Sequence, residues 1–395
     1  MILILICVII LLLVIGYSSK CYNNADNAYT GGGNAQPYDR QLINVVGGEK
    51  ANLTLMSHNV LAESFTMPSF RHTPEWVRDW KDRKPRLIAE YAKYKPDILG
   101  LQELDKCDDL LNDLNQAITT QKFAGDKADK ADKVKVNKDA KVDAKVDAKV
   151  DAKAKDVKAK ADKAKADKSP APTYAAIYVQ RPGELVDGTG MFYKTETVSL
   201  IEKNIISYDD GAMMNDADKV GCVGIIAVFK HIATSTIFIA ATTHHYWDPK
   251  RLKLKHKQAE LLLFEMEQVQ QRFPDAPVFI MGDFNFSPTG RDIDIPVDYS
   301  PYEKLIAKYK SAYKEILGDE PEFTSLYKRG PRHLYDAKTP PRFAWMLDYI
   351  FYKNADLRGV LEIPTMEKTT KINWRGIPNT VYGSDHFSVL ATFKL

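Results

Sequence analysis

The stretch VFIMGDFNFSP, Val278 to Pro288, sets a carboxylate and a carboxamide two residues apart at the end of an apolar run. On a strand, residues i and i+2 point to the same side, so Asp283 and Asn285 leave the strand together. Taken alone, the pair has two equal readings: a turn made by Asp and Asn side chains, or polar groups aimed at a ligand. The pattern recurs. LTLMSHNVL closes an apolar run with Asn59, DILGLQEL with Gln102 and Glu103, and IFIAATTHHYWDP with His244. MLDYIFY places Asp348 at a strand start, and VYGSDHFSVLATF places Asp385 and His386 ahead of the last strand. Each has a dull explanation by itself, as a turn or a solvated tip. Together they carry the groups that a hard cation and a phosphate need. Glu103 and Asn59 offer oxygen to Mg²⁺, or to Mn²⁺ in its place, and such ions prefer carboxylates and water to sulfur. His386 beside carboxylates suits a pentacovalent phosphate while Asp283 handles a water.

The elements that would position these groups alternate in type. Strand runs are expected at Leu53–Val60, Ile98–Leu101, Gly190–Tyr193, Val223–Phe229, Thr236–Thr242, Val278–Met281, Leu347–Tyr352 and Ser388–Phe393. Amphipathic helices are expected at Trp76–Tyr94 and Lys253–Phe273. Val278–Met281 is apolar on both faces, as a central strand must be, and Gly282 then lets the backbone turn. This mixture predicts an α/β fold in which helices pack outside sheets.

The 395 residues carry a formal net charge of +3. Residues 126–168 hold 15 Lys and 10 Asp, which leaves 40 Lys and Arg against 42 Asp and Glu elsewhere. The remainder is near neutral, so bulk charge gives no vote for a polyanionic partner. From Lys141 the segment repeats Lys-Val-Asp-Ala, which on a helix would stack like charges at i,i+4. It is expected to be a solvated insertion within one domain. Residues 1–17 include an unbroken apolar run, expected to be a single-pass anchor to a membrane, its sidedness open. Residues 18–50 are expected to form a flexible stalk, and residues 51–395 the folded domain. The four cysteines show neither metal spacing nor a disulfide framework.

The series Asn59, Gln102-Glu103, Gly282-Asp283-Phe284-Asn285, Asp348 and Ser384-Asp385-His386 resembles the endonuclease/exonuclease/phosphatase superfamily. SHNVLAESF, PEWVRDWKDRKPRLIAEYAKYKPDILGLQELD, VDGTGMFYK, THHYWDPK and LDYIFY resemble its branch of poly(A) deadenylases, nocturnin and Angel proteins. The resemblance covers about residues 53–106 and 175–395. It implies a two-sheet β-sandwich flanked by helices, in four layers, and a Mg²⁺-dependent phosphodiesterase. Glu103 would be the principal metal ligand, with Asn59 on the metal or its waters and Asp385 completing the surroundings. Asp283 would orient or deprotonate the attacking water, and Asn285 would hold the phosphate. His386 would stabilise developing charge, oriented by Asp348, with His244 contacting phosphate. Pro249 and Phe343 match the residues that sandwich the base, each equally readable as a plain loop residue.

The expected activity is that of a 3′-exoribonuclease of deadenylase type acting on RNA. The alternatives are a small nucleotide phosphate or cyclic-phosphate end as substrate, or an inactive binding scaffold. No obligate protein partner is implied. Two departures bear on the substrate: Thr242-Thr243-His244-His245 replaces the branch's usual Asn-Thr-His-Leu, and FAWML precedes Asp348.

Overall fold

The computed structural model describes residues 40–120, 173–288, 300–328 and 341–395, apart from positions 46, 48, 72, 342 and 374. In spatial order, a seven-stranded sheet runs β1 (Leu42–Asn44), β14 (Asp356–Leu361), β15 (Val389–Lys394), β2 (Leu53–Asn59), β3 (Ile98–Gln102), β5 (Gly188–Lys194) and β4 (Tyr174–Gln180). A six-stranded sheet runs β10 (Lys310–Ser311), β13 (Asp348–Lys353), β9 (Val278–Asp283), β8 (Ile237–His244), β7 (Val223–His231) and β6 (Val198–Ser207). A separate ribbon pairs β11 (Ser325–Tyr327) with β12 (Phe343–Trp345).

Leu55, Ile98, Met191, Ala227, Phe279, Met281, Ile350 and Val389 fill the space between the two large sheets. The helix Leu252–Arg272 covers the outer face of the six-stranded sheet with Leu262, Met266 and Val269. The helix Trp80–Tyr94 and helical residues 107–120 cover the other sheet with Leu87, Tyr91, Leu110 and Leu114. Central strands are therefore buried on both faces, which is why they read as continuous apolar runs. These are the four layers that the sequence resemblance implied.

The topology collects strand ends at one edge of the sandwich. Among the described strands all pairings are antiparallel except one in the middle of each sheet, β2 with β3 and β8 with β9. Parallel neighbours finish at the same edge, so Asn59 pairs with Gln102 and His244 with Asp283. The flanking antiparallel strands begin at that edge: β13 sets Asp348 opposite Asp283, and β15 starts with Val389 opposite Ser57. Gly100 lies where the sheets touch, and a Cβ there would stand 2.6 Å from Thr242 Oγ1.

The described residues correct three expectations. No helix among them is long and apolar enough to cross a membrane, so the membrane-anchored placement is withdrawn; residues 1–17 lie outside the described residues, as does the insertion at 126–168. The stalk expected over 18–50 includes ordered contacts from Arg40 onward. Arg40 is buried against Glu90 at 2.9 Å, and β1 adds to the edge of the first sheet. Strands β6 and β14 went unread because their burial is partial or alternating, which leaves them without a continuous apolar run; β4, apolar from Tyr174 to Val179, is a further strand beyond those expected.

Candidate active site

Two residues that follow central strands leave regular structure in the same way. Glu103 after β3 has φ 53°, and Asn285 after β9 has φ 51°. Non-glycine residues in this left-handed region cost about 1–3 kcal/mol and persist only where surroundings fix them. Gly282 is required by close approach, since a Cβ at its φ of 151° would stand 2.1 Å from Thr243 O on β8.

The side chains of both sheets then meet. Asn59 Nδ2 donates to Glu103 Oε1 and to Asp283 Oδ2, each at 3.0 Å, and thereby bridges the sheets. Its Oδ1 accepts from Leu61 N–H at 3.0 Å. Asn59, expected on the metal or its waters, is thus engaged here in joining two carboxylates. Glu103 Oε2 accepts from Ala62 N–H at 3.2 Å, and Asp283 Oδ1 from Asn285 N–H at 2.8 Å. His386 Nδ1 lies 2.8 Å from Asp348 Oδ2, with Nε2 3.9 Å from Asp283 Oδ2. His244 Nε2 stands 3.6 Å from the same Asp283 oxygen and is buried without a hydrogen-bond partner. Asn285 Nδ2 donates to His245 O at 3.0 Å.

Electrostatics follow from burying so many acids together. Burial raises the Glu103 carboxyl to about 8, with Asp385 and Asp283 adding to the shift and Asn59 and His386 opposing it. Burial and Asp348 raise Asp283 to about 7, against the pull of His386 and Asn59. Burial alone would lower His386, but Asp348 and Asp283 overcome it and hold the imidazole well above its ordinary value. His244 goes the other way: burial, then Arg181 and His386, push it well below. The edge therefore combines crowded carboxylates with one cationic and one neutral imidazole. Such a surplus of buried oxygen donors fits a hard divalent cation.

Among the described residues, Asp283, Asp348 and His386 offer ligand atoms within 4.8 Å of one another. His386 Nδ1 and Asp348 Oδ2 already satisfy each other, and nitrogen is a poor donor for a hard ion. Glu103, with Asp283 and Asp385 facing it, is the better cradle.

Three supporting residues escaped the sequence reading. Thr324 Oγ1 donates to Asp348 Oδ2 at 2.6 Å and accepts from Leu347 and Asp348 N–H at 3.0 and 3.1 Å. Arg83, fully buried, donates to Val60 O, Leu61 O and Gly383 O, tying the loop after Asn59 to the loop before Asp385. Buried Lys255 donates from Nζ to Asn285 O at 2.6 Å and steadies its left-handed backbone. Buried charge on an amphipathic helix looks solvent-facing in a sequence, and a threonine between strands looks like a turn.

Pro249 lies exposed in the turn after His244. Phe343 begins β12, stacked on Tyr327 with centroids 5.0 Å apart at 15°.

Comparisons with known proteins place the chain by sequence and by fold. A 3′-5′-exoribonuclease subunit, Ccr4, of the CCR4-Not complex of Yarrowia lipolytica is 25% identical over 86% of this chain and 48% of its own length. Carbon catabolite repressor protein 4 homolog 4 of Arabidopsis thaliana is 23% identical over 86% of this chain and 77% of its own. The chain thus spans about half the length of the first of these relatives. In fold it is similar to the human Nocturnin catalytic domain, with TM-score 0.55, 18% identity and coverage of 90% and 97% of the two chains. It is also similar to ANGEL2, a 2′,3′-cyclic phosphatase, with TM-score 0.60, 18% identity and coverage of 90% and 98%. The pattern of one family matches residues 56–386, a span that opens just before Asn59 and closes on His386. The chain belongs to the Endonuclease/Exonuclease/phosphatase family.

Proposed function

We propose that the chain is a Mg²⁺-dependent phosphodiesterase, a 3′-exoribonuclease of deadenylase type that hydrolyses RNA. The observation that carries the reading is the Asn59 bridge between Glu103 and Asp283, set beside the His386–Asp348 pair. Asp283, raised to about 7, is suited to orient a water and accept its proton near neutral pH. Asn59 and the Asn285 N–H fix both of its oxygens. Asp348 holds His386 protonated, with Nε2 free to meet charge developing on a phosphoryl oxygen. His244 Nε2, buried and unpartnered, is a further contact for a phosphoryl oxygen, and Asn285 takes another. A divalent ion held by Glu103, with Asp385 and Asp283 facing it, would supply charge neutralisation at the phosphate.

RNA as substrate is supported by the Yarrowia lipolytica relative, named as an exoribonuclease subunit. A small nucleotide or a cyclic-phosphate end is the second reading, favoured by the departures at Thr242–His245 and before Asp348. Turnover of oligo(A), of RNA ending in a 2′,3′-cyclic phosphate and of a free dinucleotide phosphate, each with Mg²⁺, separates them. Stepwise shortening of oligo(A) from its 3′ end is the expected result. Efficient turnover of the small substrates alone would replace the first reading by the second.

A further inference from the structure

We propose that Trp345 is a second nucleobase-stacking position, so that the chain engages at least two consecutive nucleotides. The inference rests on the nucleic-acid reading above and narrows it. Trp345 belongs to FAWML, one of the two segments in which this chain departs from its branch.

Trp345 and Ser325 are directly paired across the β11–β12 ribbon. Residues paired in this way project to one face, with Cβ atoms about 4.5–5.5 Å apart. On that face the Ser325 hydroxyl donates to Asp385 O at 2.8 Å, and Ser325 forms an isolated bridge with His386. The face bearing Trp345 therefore borders the segment that carries Asp385 and His386. Phe343 lies two residues away on the same strand and face, its ring edge-on to Trp345 at 5.3 Å and 88°. Tyr327 and Phe343 pack in turn with Leu61 and Phe70, and Leu61 N–H binds Asn59. An aromatic wall is thus tied at one end to Asn59 and at the other to Asp385. Phe343 and Trp345 keep part of their surface open, whereas the next two residues, Met346 and Leu347, are buried. Flat rings left partly open beside a phosphodiester site suit successive bases, whose stacking tolerates any sequence.

The test uses the full chain silenced by Asp283→Asn, with binding read by anisotropy of labelled oligo(A) and by competition with AMP. Trp345→Ala is expected to weaken oligo(A) binding about 10-fold, with AMP affinity unchanged and most of the loss restored in Trp345→Phe. A melting curve confirms that each variant folds. Unchanged oligo(A) affinity in a folded Trp345→Ala chain would overturn the proposal. So would equal losses for AMP and oligo(A), because a packing role would affect both. If the active chain turns over mononucleotides but no oligo(A), the exoribonuclease reading fails while the binding result still decides on Trp345. If neither chain binds oligo(A), both fall.

Discussion

His386 Nδ1 lies 2.8 Å from Asp348 Oδ2, and neither residue has more than a few per cent of its surface exposed. The contact orients the imidazole and sustains its charge, so its removal should act on the chemical step more than on binding. Asp348→Asn is expected to lower kcat by about 100-fold or more, with KM changed only a few-fold. Steady-state kinetics on oligo(A) check it; a large KM change with kcat preserved would contradict this role.

Thr324 holds Asp348 through two hydrogen bonds and the preceding Leu347 N–H through a third. Thr324→Val keeps the shape but leaves two backbone N–H groups and a carboxylate short of partners, at about 1–3 kcal/mol for each unpaired group. A lower melting temperature and about a 10-fold loss of kcat are expected together. Thr324→Ser, which keeps the hydroxyl, should recover both.

Crowded carboxylates at Glu103, Asp283 and Asp385 are expected to need a counter-cation for activity. Chelation is expected to abolish hydrolysis and added Mg²⁺ to restore it. In Glu103→Gln the Mg²⁺ concentration for half-maximal rate should rise at least about 10-fold. Full activity in excess chelator would exclude the metal-dependent reading.

Lys255 gives a test of pH dependence on a buried cation. Burial lowers its ammonium to about 8, against the attraction of Asp283 and Asp248. Between pH 8 and 10.5 the unfolded chain therefore binds more protons at this site than the folded chain, and stability rises with pH. Relative to Lys255→Met, the protein should gain up to about 3 kcal/mol across that window. Urea unfolding at both ends measures it, and a difference independent of pH would contradict the assignment.

Much of the candidate site was legible because its polar residues stand where apolar runs stop. Asn59, Glu103, His244, Asp283 and Asp348 are each at or next to the end of a strand, and the structure gathers them at one edge because each sheet has one parallel pair at its middle. Gly282 was read as a turn residue, whereas its close approach to Thr243 O is a relation across strands that no local pattern reveals. Arg83 and Lys255 were hidden for a related reason. Both lie on helices whose periodicity marks charged residues as solvent-facing, yet both charges turn inward to hold carbonyl groups of the site loops. Strand β1 escaped because its three residues are exposed and leave no hydrophobic run.

The central claim is that Asn59, Glu103, Asp283, Asp348 and His386 form one phosphodiester-cleaving centre. Its most direct test is the hydrolysis of 5′-labelled oligo(A) in Mg²⁺ by the unmodified chain and by folded Asp283→Asn. Progressive shortening is expected from the first and a rate at least about 100-fold lower from the second. Equal rates in the two chains, or no cleavage of any phosphodiester by the unmodified chain, would contradict it.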